Sequence, residues 1–359
     1  MTARPRLTVD LSALRANYRI LQARAAPAEV AAVVKADAYG LGLGPVARTL
    51  RAAGARTWFV ADLEEAAALR GVVPDAAHYV LGGYAVGAEA GFARPDDRPI
   101  LNSADQVRRF AARDDASARG CAIQIDTGMT RLGVAIDELD ALRPLLERLK
   151  VELVLSHLAS ADEVDETTSR RQLAAFGEAR RWFPGIAASL ANSAGTLRGG
   201  DYRYDLCRPG ISLYGSNPLA GTANPMRPVV ELDAELLQIH DVKGEARVGY
   251  AGTYAVAAGG RVGTAAIGYA DGLLRCIGNR ATALVAGTEV PLAGRVSMDL
   301  IGLDLTRVPT TAVRPGDRVK LVWGADGIDR LAAHAETIAY EVLVRLGSRV
   351  ERRYVGGTG

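Results

Sequence analysis

Lys35 closes a short apolar run, AAVVK, and is followed by Tyr39 and by glycines at positions 40, 42 and 44. A lysine at the end of a buried strand is partly desolvated, and burial lowers an ammonium pKa from its usual ~10.4. The neutral amine that results is a nucleophile suited to Schiff-base chemistry with a carbonyl compound. The plainer alternative is a lysine whose stem lies along the strand end while its charge stays in water. Glycines directly after it let backbone approach a bound group closely. Their spacing, G-L-G-L-G, departs from the dinucleotide fingerprint G-x-G-x-x-G, and no acidic ribose partner stands out. Other polar residues also sit just past apolar runs: Asp126, His157, and Asn192 with Ser193.

Those residues need a scaffold that gathers strand ends. Up to about residue 225 short apolar runs alternate with amphipathic stretches: AAVVK, TWFVA, DLEEAAALR, HYVLG, RPILN, SADQVRRFAA, CAIQID, LDALRPLLERL, VELVLSHL and AASLANS. Asp10 is placed to cap a helix carrying Leu11, Leu14, Tyr18 and Leu21 on one face, and a further helix is expected from about Pro45 to Ala53. This rhythm implies a parallel sheet with helices outside. Its near eightfold count favours an α/β fold of the (β/α)8 TIM-barrel type, with the polar strand ends at the catalytic mouth. From residue 226 the segments become short, β-branched and separated by turn signals such as Gly259-Gly260 and Pro315-Gly316-Asp317. The expected division is a barrel over residues 1–225 and a mainly β domain over 226–359, closed by a helix at TIAYEVLVRLG.

The chain has 359 residues, which suits two domains. Acids and bases are mixed and the formal net charge is +2, so no nucleic-acid-binding face is expected. Three scattered cysteines fit no disulfide framework, and the four histidines have no metal-ligand spacing. No apolar stretch is long enough for a signal peptide or a membrane span, so a cytoplasmic location and no membrane association are expected.

The run VVKADAYGLG resembles the cofactor-lysine signature of the alanine racemases. Further segments are similar to that family in order: IDTGMTRLG, LSHLASAD, LANSAG, YDLCRPGISLYG, VGYAGTY, IGYADGLLR and GRVSMD. The resemblance implies a pyridoxal 5'-phosphate (PLP) barrel followed by a β domain. It implies an isomerase acting on L- and D-alanine that supplies D-alanine for peptidoglycan or breaks it down. Lys35 would carry PLP and act as one base. Tyr250 would act on the opposite face of the α-carbon, reaching in from the partner subunit, which makes a homodimer with shared active sites. Tyr39, Ser193, Gly210 and Ile211 would hold the phosphate, with Leu81 and Asn192 among the other cofactor contacts. Arg208 would donate to the pyridine nitrogen, and His157 would hydrogen-bond Arg208. Arg131, Met298 and Tyr269 would meet the substrate, and Asp162, Arg275 and Arg295 would line the entrance.

The chain departs from that pattern at two positions. Gln124 stands where many relatives carry a lysine, often carbamylated, so its amide oxygen or a bound chloride is expected to orient Arg131. Ser348 stands where a phosphate-side tyrosine is expected, which puts that contact in doubt. Three other readings stay open. They are a racemase of another small amino acid such as serine, a same-fold PLP decarboxylase, and a non-catalytic PLP carrier. Arg208 argues against the decarboxylase, which uses an acidic partner for the ring nitrogen, and the β domain argues against the carrier.

Overall fold

The computed structural model describes residues 4–357. Seven short strands form one parallel sheet in chain order: Ala32–Val33, Thr57–Val60, Ala77–Val80, Asp97–Leu101, Gly120–Gln124, Lys150–Leu155 and Ala187–Ser189. They are nearly all apolar, as strands covered on both faces must be. Trp58, Phe59 and Val60 are fully buried, and Phe59 pairs with Val33 on one side and Tyr79 on the other. An eighth piece, Leu206–Cys207, completes the ring. It pairs in parallel with Glu29–Val30, and Asp205 and Arg208 donate their N–H groups to Ala188 and Ala191. The barrel expected from the alternating pattern is therefore present, and all strand C-termini open on one mouth.

Three of the connections out of that mouth are brief because a capping residue follows the strand closely. Asp62, Ser103 and Asn192 each accept the N–H three residues on, which starts the next helix at once. On the outside, helix Leu11–Ala25 buries Leu11, Leu14, Tyr18 and Leu21, and the Tyr18 hydroxyl donates to the Val30 carbonyl at 2.9 Å. The helix expected from Pro45 to Ala53 runs from Leu43 to Ala52.

The second domain is built on an eight-stranded sheet around the long strand Val230–Asp241. One feature departs from a division at residue 225. Strand Arg6–Asp10 lies in this second sheet, antiparallel to Val230–Asp241 and parallel to the final strand Glu351–Val355. Its alternating burial marks a half-exposed strand, whereas barrel strands are buried on both faces. The carboxylate of Asp233, almost fully buried, binds both Arg6 and Arg318 and pins this junction. Two helices, Gly327–His334 and Ala339–Arg345, stand where a single closing helix was expected. The domains are also joined by Asn17, which accepts from the Arg227 N–H at 2.7 Å and donates to its carbonyl at 2.9 Å. Among the described residues no helix is long and apolar enough to cross a membrane.

Asp10 accepts N–H bonds from Ser12 and Ala13 at 2.8 and 3.0 Å, at the point where the chain passes from one domain to the other. Asp10→Ala is expected to cost about 1 kcal/mol. The check is a lower urea midpoint with an unchanged slope; an unmoved midpoint would show that the cap carries no weight.

Candidate active site

Strand pairing ends at Val33, so Lys35 stands two residues beyond the strand, at the mouth. The chain then does something unusual. Ala36, Asp37, Ala38 and Tyr39 all have φ between 52° and 59°, a left-handed helical turn made of residues with Cβ atoms. Each such residue costs roughly 1–2 kcal/mol relative to the right-handed form, so surrounding contacts must hold the turn. Glu65 accepts the Ala36 N–H at 2.6 Å, and Asp37 accepts the Leu43 N–H at 2.6 Å. From the second domain, Arg352 donates to the Gly40 carbonyl at 3.1 and 3.2 Å, and the Tyr354 hydroxyl donates to Leu41 at 2.9 Å. Burial, and secondarily the Arg131 charge, lowers the Lys35 pKa, with Glu65 opposing.

Beside the lysine lies a tight polar cradle. Asn192 caps helix Ser193–Arg198, and Ser193 Oγ accepts from the N–H groups of Gly210 and Ser212 at 2.9 and 3.4 Å. Ile211 follows Gly210 as a fully buried residue. The Tyr39 hydroxyl packs onto Gly210 so closely that a Cβ there would sit 2.2 Å from it. Ser212 Oγ is buried with no partner in the structure. The Tyr39 ring lies 5.9 Å from that of Tyr340, which also comes close to Ser193. Tyr340 was not expected from the sequence. It is carried in by the first turn of helix Ala339–Arg345, while Ser348 is exposed in the following turn.

Arg208 is 5% exposed. Its Nη1 donates to Ser189 Oγ at 2.5 Å and its Nη2 to the Ser156 carbonyl at 2.6 Å, while the Phe59 ring lies 5.9 Å from its guanidinium carbon. These acceptors are neutral, and burial pulls the guanidinium pKa down to about 10. The expected hydrogen bond from His157 to Arg208 is not among those of the described residues; serine and backbone take its place. His157 still lies close by. Burial first, then the charges of Arg208, Arg131 and Lys35, press its pKa down to about 3, so it is neutral throughout the ordinary pH range. Leu81, just past the third strand, is half-buried at the same mouth and its carbonyl accepts from Asn102 at 2.9 Å. None of the ion pairs among the described residues uses Lys35, Arg131 or Arg208. The mouth is therefore a cluster of cations without a protein counter-ion, fitted to an anion.

Gln124 corrects another expectation. Its side-chain nitrogen donates to the Leu132 carbonyl at 3.1 Å, and no hydrogen bond joins it to the Arg131 side chain. It steadies the backbone next to an exposed Arg131 and leaves the guanidinium itself free. The same loop is shaped by Asp126, which accepts from the N–H groups of Gly128, Met129 and Thr130.

The remaining expected residues form a second group on the β domain. Tyr250 is 68% exposed, on a turn between strands Ala246–Val248 and Tyr254–Val256. Tyr269 and Met298 are 40% and 54% exposed and adjoin through the Ala270 N–H, which donates to the Met298 carbonyl at 2.9 Å. Arg275 and Arg295 are exposed, as is Asp162 on the barrel side. No hydrogen bond or ion pair among the described residues links Tyr250, Tyr269 or Met298 to Lys35, His157 or Arg208 of the same chain. No cluster of three or more potential metal ligands occurs among the described residues.

Comparison with known proteins agrees with this architecture. The family model described as alanine racemase, N-terminal domain, matches residues 9–218, and that for the alanine racemase C-terminal domain matches residues 229–354. An alanine racemase of Rhodospirillum rubrum is 46% identical, covering 98% of this chain and 96% of that protein. A catabolic alanine racemase of Agrobacterium fabrum is 43% identical over 97% of this chain and 92% of its own. Among solved structures, the alanine racemase of Bartonella henselae with covalently bound pyridoxal phosphate superposes with a TM-score of 0.92 at 35% identity, covering 99% of this chain and 100% of that one.

The lowered Lys35 pKa has a direct consequence. The chain has lysines at 35, 150, 243 and 320. A group whose pKa is depressed is neutral at lower pH, so acetylation of Lys35 in the cofactor-free chain is expected to reach half its maximal rate at a lower pH than at the other three. Mass spectrometry of the labelled peptides checks this; a Lys35 profile coincident with the others would contradict it.

Proposed function

The chain belongs to the alanine racemase family, and from that premise we propose that it interconverts L- and D-alanine between two bases, Lys35 of one protomer and Tyr250 of its partner. It is a PLP-dependent racemase, and the residues at the mouth fit that cofactor. The observation that carries the reading is the convergence of Lys35, Arg131 and Arg208 around a neutral His157, beside a polar cradle and with no carboxylate ion-paired to any of the three among the described residues. Tyr39, Ser193, Tyr340 and the backbone at Gly210 and Ile211 would hold the phosphate, and the unpartnered Ser212 Oγ supplies one more group. Leu81 and Asn192 complete that wall of the site. When bound, PLP supplies an electron sink for the negative charge left on the substrate α-carbon.

Arg208 would face the pyridine nitrogen. Two short bonds to neutral oxygens fix its guanidinium, and even with a pKa near 10 it keeps its proton at neutral pH. It therefore donates a hydrogen bond without giving up a proton, which weakens the sink and favours simple return of a proton over side reactions. A decarboxylase would want an acid there. His157, its pKa pressed down to about 3 by burial and by the neighbouring cations, is uncharged at pH 7. Its role is that of a neutral hydrogen-bonding dipole and not of a charged relay.

Racemisation removes a proton from one face of a planar carbon and returns one to the other. Lys35, tethered on the barrel side, serves one face. A second base must come within about 2.6–3.2 Å of the proton it moves. Tyr250, exposed on its own chain and unconnected to that chain's lysine, meets the requirement if a second copy lays its β domain, residues 226–359, over the mouth. The exposed Tyr269, Met298, Arg275 and Arg295 then line the same entrance as Asp162, and Arg131 with Met298 holds the substrate carboxylate. A pocket narrowed by two tyrosines suits a methyl side chain. Discrimination against one extra hydroxyl is modest in such pockets, so slow turnover of serine is expected.

The dimer is tested by mixing. Lys35→Ala and Tyr250→Phe each lower kcat/KM by roughly 10²–10⁴-fold. Unfolded together and refolded, the two variants should regain roughly a quarter of parental activity, because half of random dimers hold one intact site. Chiral analysis of product from each enantiomer reads the result; no regain on mixing would remove the shared site.

A further inference from the structure

The turn that presents Lys35 is held by a carboxylate that the racemase reading leaves unused. Glu65 sits in the first turn of helix Leu63–Arg70, where the Asp62 side chain caps its N–H. Its Oε1 accepts from Ala36 at 2.6 Å and its Oε2 accepts from Ala61 at 2.7 Å. Ala36 is the first residue of the left-handed turn, and Ala61 follows directly on strand Thr57–Val60. One side chain thus ties the segment after the first barrel strand to the end of the second. Four residues in the left-handed region hold only where their surroundings over-determine them.

The chemistry of the two contacts demands an acid. Both partners are N–H donors, so the side chain must offer two acceptors, which an ionised carboxylate does. A glutamine of the same length offers one acceptor and turns an NH₂ group toward the other N–H. An aspartate offers two acceptors on a stem one methylene shorter, which shortens its reach to both donors. Charge-assisted bonds of this kind are short and about twice as strong as neutral ones.

We propose that Glu65 is a positioning residue for the reaction: through the Ala36 and Ala61 N–H groups it fixes the left-handed turn and hence the place of the Lys35 amine at the mouth. It acts through backbone and touches neither substrate nor cofactor. The inference rests on Lys35 being the cofactor lysine, yet its physical content, the stiffness of the turn, is measurable without cofactor.

The experiment compares Glu65→Gln and Glu65→Asp with Glu64→Gln, a change at an exposed neighbour on the same helix. Amide hydrogen exchange is followed in the cofactor-free chain. Glu65→Gln should speed exchange over residues 34–40 about tenfold while the strands on the far side of the barrel exchange as in the parent. In the loaded enzyme kcat should fall about tenfold or more with KM within about twofold. Glu65→Asp should recover part of both, and Glu64→Gln should change neither. Unchanged exchange over residues 34–40 in Glu65→Gln, or acceleration shared equally by the whole barrel, would overturn the proposal. Reductive trapping of bound PLP on the parent tests the underlying reading separately. A label on a lysine other than Lys35 defeats that reading and leaves the exchange result standing.

Discussion

Unbalanced positive charge at the barrel mouth is the constraint from which the rest of the site follows. Lys35, Arg131 and Arg208 converge there with no carboxylate paired to any of them among the described residues. Burying a cation without a counter-ion is expensive. The fold limits the cost by surrounding Arg208 with neutral oxygens and the face of Phe59, by keeping His157 uncharged, and by leaving Arg131 open to solvent. What remains is an excess of positive charge at the mouth, of which the exposed Arg131 guanidinium is the part left open to an incoming carboxylate.

Much of this was legible in the sequence because it depends on local pattern. Short apolar runs alternating with amphipathic stretches, three of them started by a capping residue, indicated the barrel and put Lys35, His157 and Asn192 at its mouth. The residues that escaped reading are those whose role depends on distant backbone. Tyr340 comes to Tyr39 from across the domain boundary, and nothing near it in the chain marks it as part of the site. Gln124 binds a carbonyl in place of a guanidinium, and a carbonyl leaves no trace in residue type. The left-handed turn after Lys35 was invisible for a similar reason. Ala36 and Ala38 carry no sign of it, and the contacts that stabilise it come from Glu65, Arg352 and Tyr354. Strand Arg6–Asp10 was absorbed into the barrel because proximity in sequence to the first helix outweighed its alternating pattern.

The two groups of functional residues differ in how they are built. On the barrel, Tyr39, Ser193 and Arg208 are buried and cross-braced, while Arg131 and Asp162 are exposed. Those on the β domain, Tyr250, Tyr269, Met298, Arg275 and Arg295, are exposed on turns and short helical segments. This division suits a site assembled from two surfaces, in which one half is braced within its own chain and the other is a face that acquires its environment on association. A phenol needs help from neighbours to exchange protons near neutrality, and for Tyr250 those neighbours would be the cations of the opposite barrel.

The pairing of the first strand with the last has a consequence for synthesis. Arg352 and Tyr354, which grip the carbonyls of Gly40 and Leu41, belong to strand Glu351–Val355 of the second domain, made long after the turn they hold. The segment bearing the reactive amine is made early and then waits some 300 residues for its final fastening. Until that strand is made, the turn is braced only from nearby, by Glu65 and Asp37, and its contacts from the second domain are still to come.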